Sequence, residues 1–175
     1  MRTSDANRQG PYFTSMRTLP LTQGFVAILD DADYDRATAL GSWQANLSSK
    51  HTAYGVHRYW DWPKNKALKL HRFIMGLREN DPREVDHING NGLDNRRCNL
   101  RVVTRSQNAM NRRKKDGCSS RYKGVSYRAK RNRWAASICI NGKRHFLGHF
   151  LTEEDAHAAY SEAAATHFGQ YARAE

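Results

Sequence analysis

The chain has 175 residues, 39% hydrophobic and 26% charged, with 29 Lys and Arg against 17 Asp and Glu and a formal net charge of +12. That length holds one ordinary domain or two small ones, and no apolar run reaches the length of a transmembrane helix. Three cysteines, Cys98, Cys118 and Cys139, form no CxxC pair, which argues against a disulfide framework and a thiolate zinc site and suits a reducing compartment. The polar N-terminus lacks the apolar core of a signal peptide, so an intracellular location is expected.

The charge excess is local. Residues 96–133 hold 14 of the basic residues and one acid, Asp116, leaving 15 basic and 16 acidic residues elsewhere. Such a patch suits a nucleic-acid backbone, where each neutralised phosphate releases counterions. No amphipathic helix with an apolar Trp/Leu face lies within it, which argues against a membrane surface.

In chain order, residues 1–20 are polar without a period and are expected to form a flexible N-terminal arm. Gly24-Phe25-Val26-Ala27-Ile28-Leu29 reads as a strand, and Asp30 or Asp31 is placed to cap a short helix reaching Ala39. Residues 43–47 and 54–59 read as two further strands. Over residues 66–75 the apolar positions Leu68, Leu70, Phe73 and Ile74 group as on a helix. The tryptophans here are expected to be core or lid residues, and His71, in a Leu-His-Arg-Phe-Ile setting, a core histidine.

Residues 85–88 form a short strand, Asn89-Gly90-Asn91-Gly92 a dense turn signal, and residues 100–103 a second strand. Thr104 with Gln107 makes a capping-box start for a helix through Asn108 and Asn111. This strand, loop, strand, helix order places Asp86 and His87 on the first strand and Asn108 on the helix packed across it. An acid, an imidazole that titrates at about 6.5 unperturbed, and amide oxygens surrounded by arginines are the equipment for phosphodiester hydrolysis. Asp and Asn are hard oxygen donors, which favours Mg²⁺ or Mn²⁺ over zinc. Adjacent strand residues face opposite ways, so Asp86 and His87 share a site only at a twisted or irregular strand end.

At Asp86-His87, Asn99-Leu100-Arg101 and Asn108 the chain resembles the HNH homing endonucleases, phage and intron type, in the variant with Asn in place of the last His. The resemblance extends through Leu21-Thr22-Gln23-Gly24 and Leu70-His71-Arg72 to cover about residues 21–113. It implies a catalytic pair, with His87 as general base and Asn99 fixing its direction by bonding across the loop, and Asp86 with Asn108 as ligands of one Mg²⁺ or Mn²⁺. A phage-encoded chain of this kind would work in the host cytoplasm.

Residues 114–120 read as a basic linker. Three strands follow, over residues 122–128, 133–140 and 143–150, the last two joined by the type I′ hairpin signal Asn141-Gly142. Thr152 then opens a helix whose inner face carries Ala156, Ala159, Tyr160, Ala163, Ala164 and Phe168, with Gly169 as its stop. Alternation sends Val125, Tyr127, Trp134, Ala136, Ile138 and Ile140 toward that helix and Ser126, Arg128, Arg133, Ser137, Cys139, Arg144 and Phe146 to the other face.

Residues 121–172 resemble the APETALA/ethylene-response-factor DNA-binding domain at Tyr122-Lys123-Gly124-Val125, Trp134-Ala135-Ala136-Ser137-Ile138, Leu147-Gly148-His149-Phe150, Thr152 to Ala156, Ala159-Tyr160 and Ala163-Ala164. The resemblance implies a three-stranded sheet laid in the major groove. Ser126, Ser137 and Cys139 replace the plant domain's base-reading residues, so its target sequence does not carry over.

The expectation is therefore an α+β chain: a ββα-metal (His-Me finger) nuclease domain over residues 21–113, with its core at about 84–113, then a three-stranded antiparallel sheet packed on one helix. Its partner would be double-stranded DNA, with no membrane and a homodimer left open. The DNA-binding candidates are Arg96, Arg97, Arg112, Arg113, Lys123, Arg128, Lys130, Arg131, Arg133, Arg144 and Phe146. The alternative is a non-catalytic DNA-binding regulator on a decayed nuclease scaffold.

Overall fold

The structure, a computed structural model, describes residues 15–49, 52–61, 63–112, 114 and 117–173. These fall into two compact units. The first takes the described residues up to Gly76 together with Gly92–Asn99, and the second takes Leu77–Asn91 and the described residues from Leu100 onward. The loop before the second strand of the ββα segment groups with the N-terminal part.

In the first unit β1 (Met16–Pro20) pairs antiparallel with β2 (Val26–Asp30). The expected arm is thus corrected for its last five residues, 16–20. Only Leu19 of β1 is buried, so a two-stranded edge leaves almost no alternation to read. Helix α1 (Asp31–Thr38) follows at once, with Asp31 and Asp33 complementing the positive end of its dipole.

The strands β3 (Gln44–Ser49), β4 (Thr52–Asp61) and β5 (Lys64–Lys69) form a sheet in that order, and α2 (Leu70–Ile74) continues from the last. The helix-like grouping expected from Lys66 is corrected here. Alternation persists through Leu68, which pairs with His57, and helical spacing begins only at Leu70, with Leu70, His71 and Ile74 buried. His71 is a core histidine as expected, edge-on to Tyr54 at 5.5 Å. Trp43 is also core, 2% exposed, its indole N–H donating to the Ala37 carbonyl. Trp60 instead stands 59% exposed on β4, and Trp62 lies outside the described residues.

The loop Gly92–Asn99 is pinned to β2, where Ile28 N–H donates to Leu93 O and Asn95 N–H to Ile28 O, both at 2.8 Å. A Cβ at Gly92 would collide with the Ala53 carbonyl and the Tyr54 ring, so the close approach requires glycine.

In the second unit β6 (Glu84–His87) pairs with β7 (Leu100–Val103), and α3 (Arg105–Asn111) follows. The capping box forms as read: Thr104 Oγ1 accepts from Gln107 N–H at 3.2 Å, and Gln107 Oε1 accepts from Thr104 N–H at 2.8 Å. Further on, β8 (Val125–Arg128), β9 (Arg133–Ile140) and β10 (Lys143–Phe150) form an antiparallel sheet covered by α4 (Glu153–Phe168). Asn141 and Gly142 have φ of 50° and 78°, as a type I′ turn demands.

Ala156 packs with Val125 and Ala136, and Tyr160, Ala164 and Phe168 pack with Ile138. Alanines on α4 let it lie close to the sheet, and Trp134 joins this core as expected. Tyr127 does not. It is the penultimate residue of the edge strand, 39% exposed, its ring tilted on Trp134 and its hydroxyl donating to Asn132. Among the described residues no helix is long and apolar enough to cross a membrane.

Candidate active site and nucleic-acid surface

The site is built on β6. Its register pairs Glu84 with Val103, Val85 with Val102, Asp86 with Arg101 and His87 with Leu100. Directly opposed residues share a face, so Asp86 and Arg101 stand together, and alternation assigns His87 to the other face beside Leu100. His87 is the last residue of the strand, and the chain reverses immediately, with Gly90 N–H donating to His87 O at 2.8 Å.

Asp86 and His87 are both buried, at 7% and 5% exposure. A carboxylate at that depth requires donors, and Asp86 has three nitrogens. Arg101 Nε and Nη2 reach Oδ2 at 2.9 and 2.7 Å, and Asn111 Nδ2 lies 2.9 Å from Oδ1 and 3.0 Å from Oδ2. The same Asn111 amide donates to His87 O at 2.9 Å, which ties the pair to α3.

Asn108, one helical turn earlier, donates through Nδ2 to Glu84 Oε2. Two amides one turn apart on α3 therefore face two carboxylates two residues apart on β6. The structure brings Asn108 to the strand, as expected, but pairs it with Glu84, while Asn111 takes Asp86.

Asn99 is buried and donates to the Asp94 carbonyl at 2.8 Å, a bond across its own loop of the kind expected of it. Two arginines expected on DNA are engaged internally. Arg96 forks Asp94 through Nε and Nη2, both at 2.7 Å. Arg97 forks Asp33 at 2.6 and 2.7 Å and donates to the Ile74 carbonyl. Hydrogen bonds to these carboxylates raise both guanidinium pKa values above the ordinary arginine value.

Lys123 is a third such residue. Its amine donates to Met110 O, and burial, reinforced by the charges of Arg173 and Arg112, pushes its pKa down to about 8. Arg112 is exposed at the end of α3, and Arg113 lies outside the described residues.

The other candidates lie together on the sheet. Arg128, Lys130, Arg131, Arg133, Arg144 and Phe146 are all exposed, Phe146 to 60%. Arg128 stands directly opposite Arg133 in the ladder. Like charges in that position destabilise a free sheet, which suits an anionic partner. Tyr127, Arg128, Lys130, Arg131, Phe146 and His149 border a shallow depression of about 520 Å³. Arg131 Nη1 donates to His149 Nε2 at 3.0 Å, orienting that guanidinium along the rim.

Sequence reasoning missed Arg101, Asn111 and Glu84. Arg101 was findable, since pairing β6 with β7 in register sets a cation opposite Asp86. Asn111 is three positions from Asn108 and shares its helix face.

A hairpin with a buried Asp-His pair, crossed by an amide-bearing helix and followed by a basic helix-backed sheet, defines a two-module α+β protein. Residues 76–110 match the HNH endonuclease family, and residues 120–169 match the AP2 domain. Residues 76–110 are thus an HNH endonuclease domain and residues 120–169 an AP2-like DNA-binding domain, as both resemblances implied.

The chain is 38% identical over 109 residues to the "Uncharacterized HNH endonuclease L560" of Acanthamoeba polyphaga mimivirus, covering 60% of this chain and 56% of that protein. It is 33% identical over 61 residues to "Protein 3.8" of Escherichia phage T7, covering 35% of this chain and 50% of that protein. The chain thus spans about half the length of these relatives. No solved structure matches it.

Proposed function

We propose that the protein is a metal-dependent endonuclease that hydrolyses phosphodiester bonds in double-stranded DNA and acts inside the cell. The observation that carries this reading is the buried Asp86-His87 pair at the end of β6, with the Asn108 and Asn111 amides of α3 laid across the same strand. His87 is the general base, drawing a proton from water as its oxygen attacks phosphorus. Asn99 fastens the loop leading into β7, so the hairpin keeps its shape while the base works.

Among the described residues no group of three His, Cys, Asp or Glu side chains could hold a metal ion. A hard divalent ion that retains most of its water needs only one or two carboxylates, and the oxygen donors here fit it. Asp86 supplies a carboxylate. Asn108, whose Nδ2 is held by Glu84, keeps Oδ1 as an acceptor. These two would hold Mg²⁺ or Mn²⁺, with Glu84 and Arg101 orienting them from behind. Such an ion supplies electrostatic stabilisation of the charge that builds on the phosphate and the leaving oxygen.

The sheet face, through Arg128, Lys130, Arg131, Arg133, Arg144 and Phe146, holds the duplex, and Arg112 extends the contact from α3. Arg96, Arg97 and Lys123 are left out of this contact set because each serves an internal partner. The deciding experiment incubates the protein with supercoiled plasmid with and without Mg²⁺. Nicked or linear product only with metal supports the reading, and uncut plasmid despite tight binding identifies a non-catalytic regulator.

A further inference from the structure

We propose that the turn after α4, Gly169–Tyr171, is a strut that positions Asp86 through Arg101, so that the C-terminal module completes the nuclease site. The inference rests on the proposed metal role of Asp86. Arg101 uses all three guanidinium nitrogens on named oxygens. Nε and Nη2 hold Asp86 Oδ2, and Nη1 donates to the Gln170 carbonyl at 2.6 Å. Its flat face lies over the Tyr171 ring, 4.7 Å from the centroid. The side chain is only 15% exposed. A guanidinium so enclosed faces no phosphate; its geometry serves the carboxylate.

Two neighbouring contacts tie the same parts together. A Cβ at Gly90, in the turn that follows His87, would collide with the Arg173 guanidinium, so the chain beyond Tyr171 lies against that turn. Lys123 donates to Met110 O at the end of α3, and Met110 packs against the Ile138, Tyr160, Ala164 and Phe168 cluster. Asn111 fixes Asp86 from the α3 side, and Arg101 fixes Oδ2 from the other. Without its Tyr171 and Gln170 supports the long Arg101 side chain regains its rotamers, and the carboxylate loses one of its two restraints. Tyr171 and Arg101 are therefore positioning residues.

Changes to groups that orient a ligating carboxylate lower metal affinity by about 10–100-fold. The test measures Mn²⁺ affinity calorimetrically on the full chain without DNA, alongside duplex affinity and the thermal midpoint. Tyr171→Ala is expected to weaken Mn²⁺ binding by about 10-fold or more while duplex affinity holds, and Tyr171→Phe, which keeps the ring, to bind as wild type. Arg101→Lys, which keeps the charge but not the fork, should show the same loss, and adding Tyr171→Ala to it should cost nothing further.

Wild-type Mn²⁺ affinity in Tyr171→Ala, or additive losses in the double variant, would overturn the strut. If Tyr171→Ala does not fold, Arg101→Lys decides alone. Wild-type protein that takes up no Mn²⁺ overturns the metal reading and the strut together, whereas unchanged variants of a metal-binding, DNA-cutting wild type sink the strut only.

Discussion

Arginines around the hairpin and arginines on the sheet differ in what surrounds them. Arg96, Arg97 and Arg101 each fork a carboxylate that is itself buried: Asp94, Asp33 and Asp86. Arg128, Arg133 and Arg144 are exposed, and two of these oppose each other across one ladder rung. The first set satisfies buried acids that would otherwise destabilise the fold. The second set gains its full stabilisation only with a polyanion present. A single basic stretch of sequence therefore contains two populations, and partner geometry, not charge count, separates them.

The sharpest way to break the comparison is at the chemistry itself. If the hairpin is catalytic and the sheet is an anchor, His87→Ala should lower single-turnover cleavage of plasmid by about 10² to 10⁴-fold with duplex affinity unchanged. Wild-type cleavage by that variant would remove His87 from the mechanism.

What the sequence disclosed follows the range of the interactions involved. The capping box at Thr104 and Gln107, the Asn141-Gly142 turn and the inner face of α4 all involve residues within a few positions, and all form as read. The Asp86-His87, Asn99 and Asn108 spacing pointed to the family because its elements recur at fixed intervals. Asp33 and Arg97 are 64 positions apart, and no local pattern joins them. Lys123 sits inside a basic run and looked like a DNA contact, yet only the packing of Met110 shows where its amine goes. Tyr127 failed alternation because β8 is an edge that ends at the next residue.

The next effect in size tests the internal set. Arg97→Ala leaves the buried Asp33 carboxylate short of donors, which costs about 1–3 kcal/mol. The low end of that range applies, because Arg36 still reaches Asp33 Oδ1 at 3.0 Å and the Arg97 side chain is 49% exposed. Chemical denaturation should show the loss, and salt titrations of duplex affinity should show no change in slope.

Arg133→Ala should do the opposite. Its slope of log affinity against log salt should fall by about 0.9, with stability unchanged or slightly improved as the Arg128–Arg133 repulsion is relieved. A slope change in Arg97→Ala, or none in Arg133→Ala, would erase the distinction between the two populations.

The smallest effect concerns Lys123, which stands between the two sets of cations in sequence as well as in kind. Burial and the nearby Arg173 and Arg112 charges lower its pKa from 10.5 to about 8 in the folded chain. Between those values the unfolded chain holds a proton that the folded chain has released, so stability rises with pH across the window. Below about pH 8 both states are protonated, and the fold bears the full burden of a half-buried charge. The neutral amine still donates to Met110 O, so the tie to α3 survives deprotonation. The slope stays below about 1.4 kcal/mol per pH unit, and lower again because water reaches part of the side chain. Unfolding midpoints of wild type and Lys123→Met, compared from about pH 7 to about pH 10, isolate this group from every other titration. The difference should shift in favour of wild type as pH rises; a flat difference would mean that the amine is solvated and belongs with the sheet cations after all.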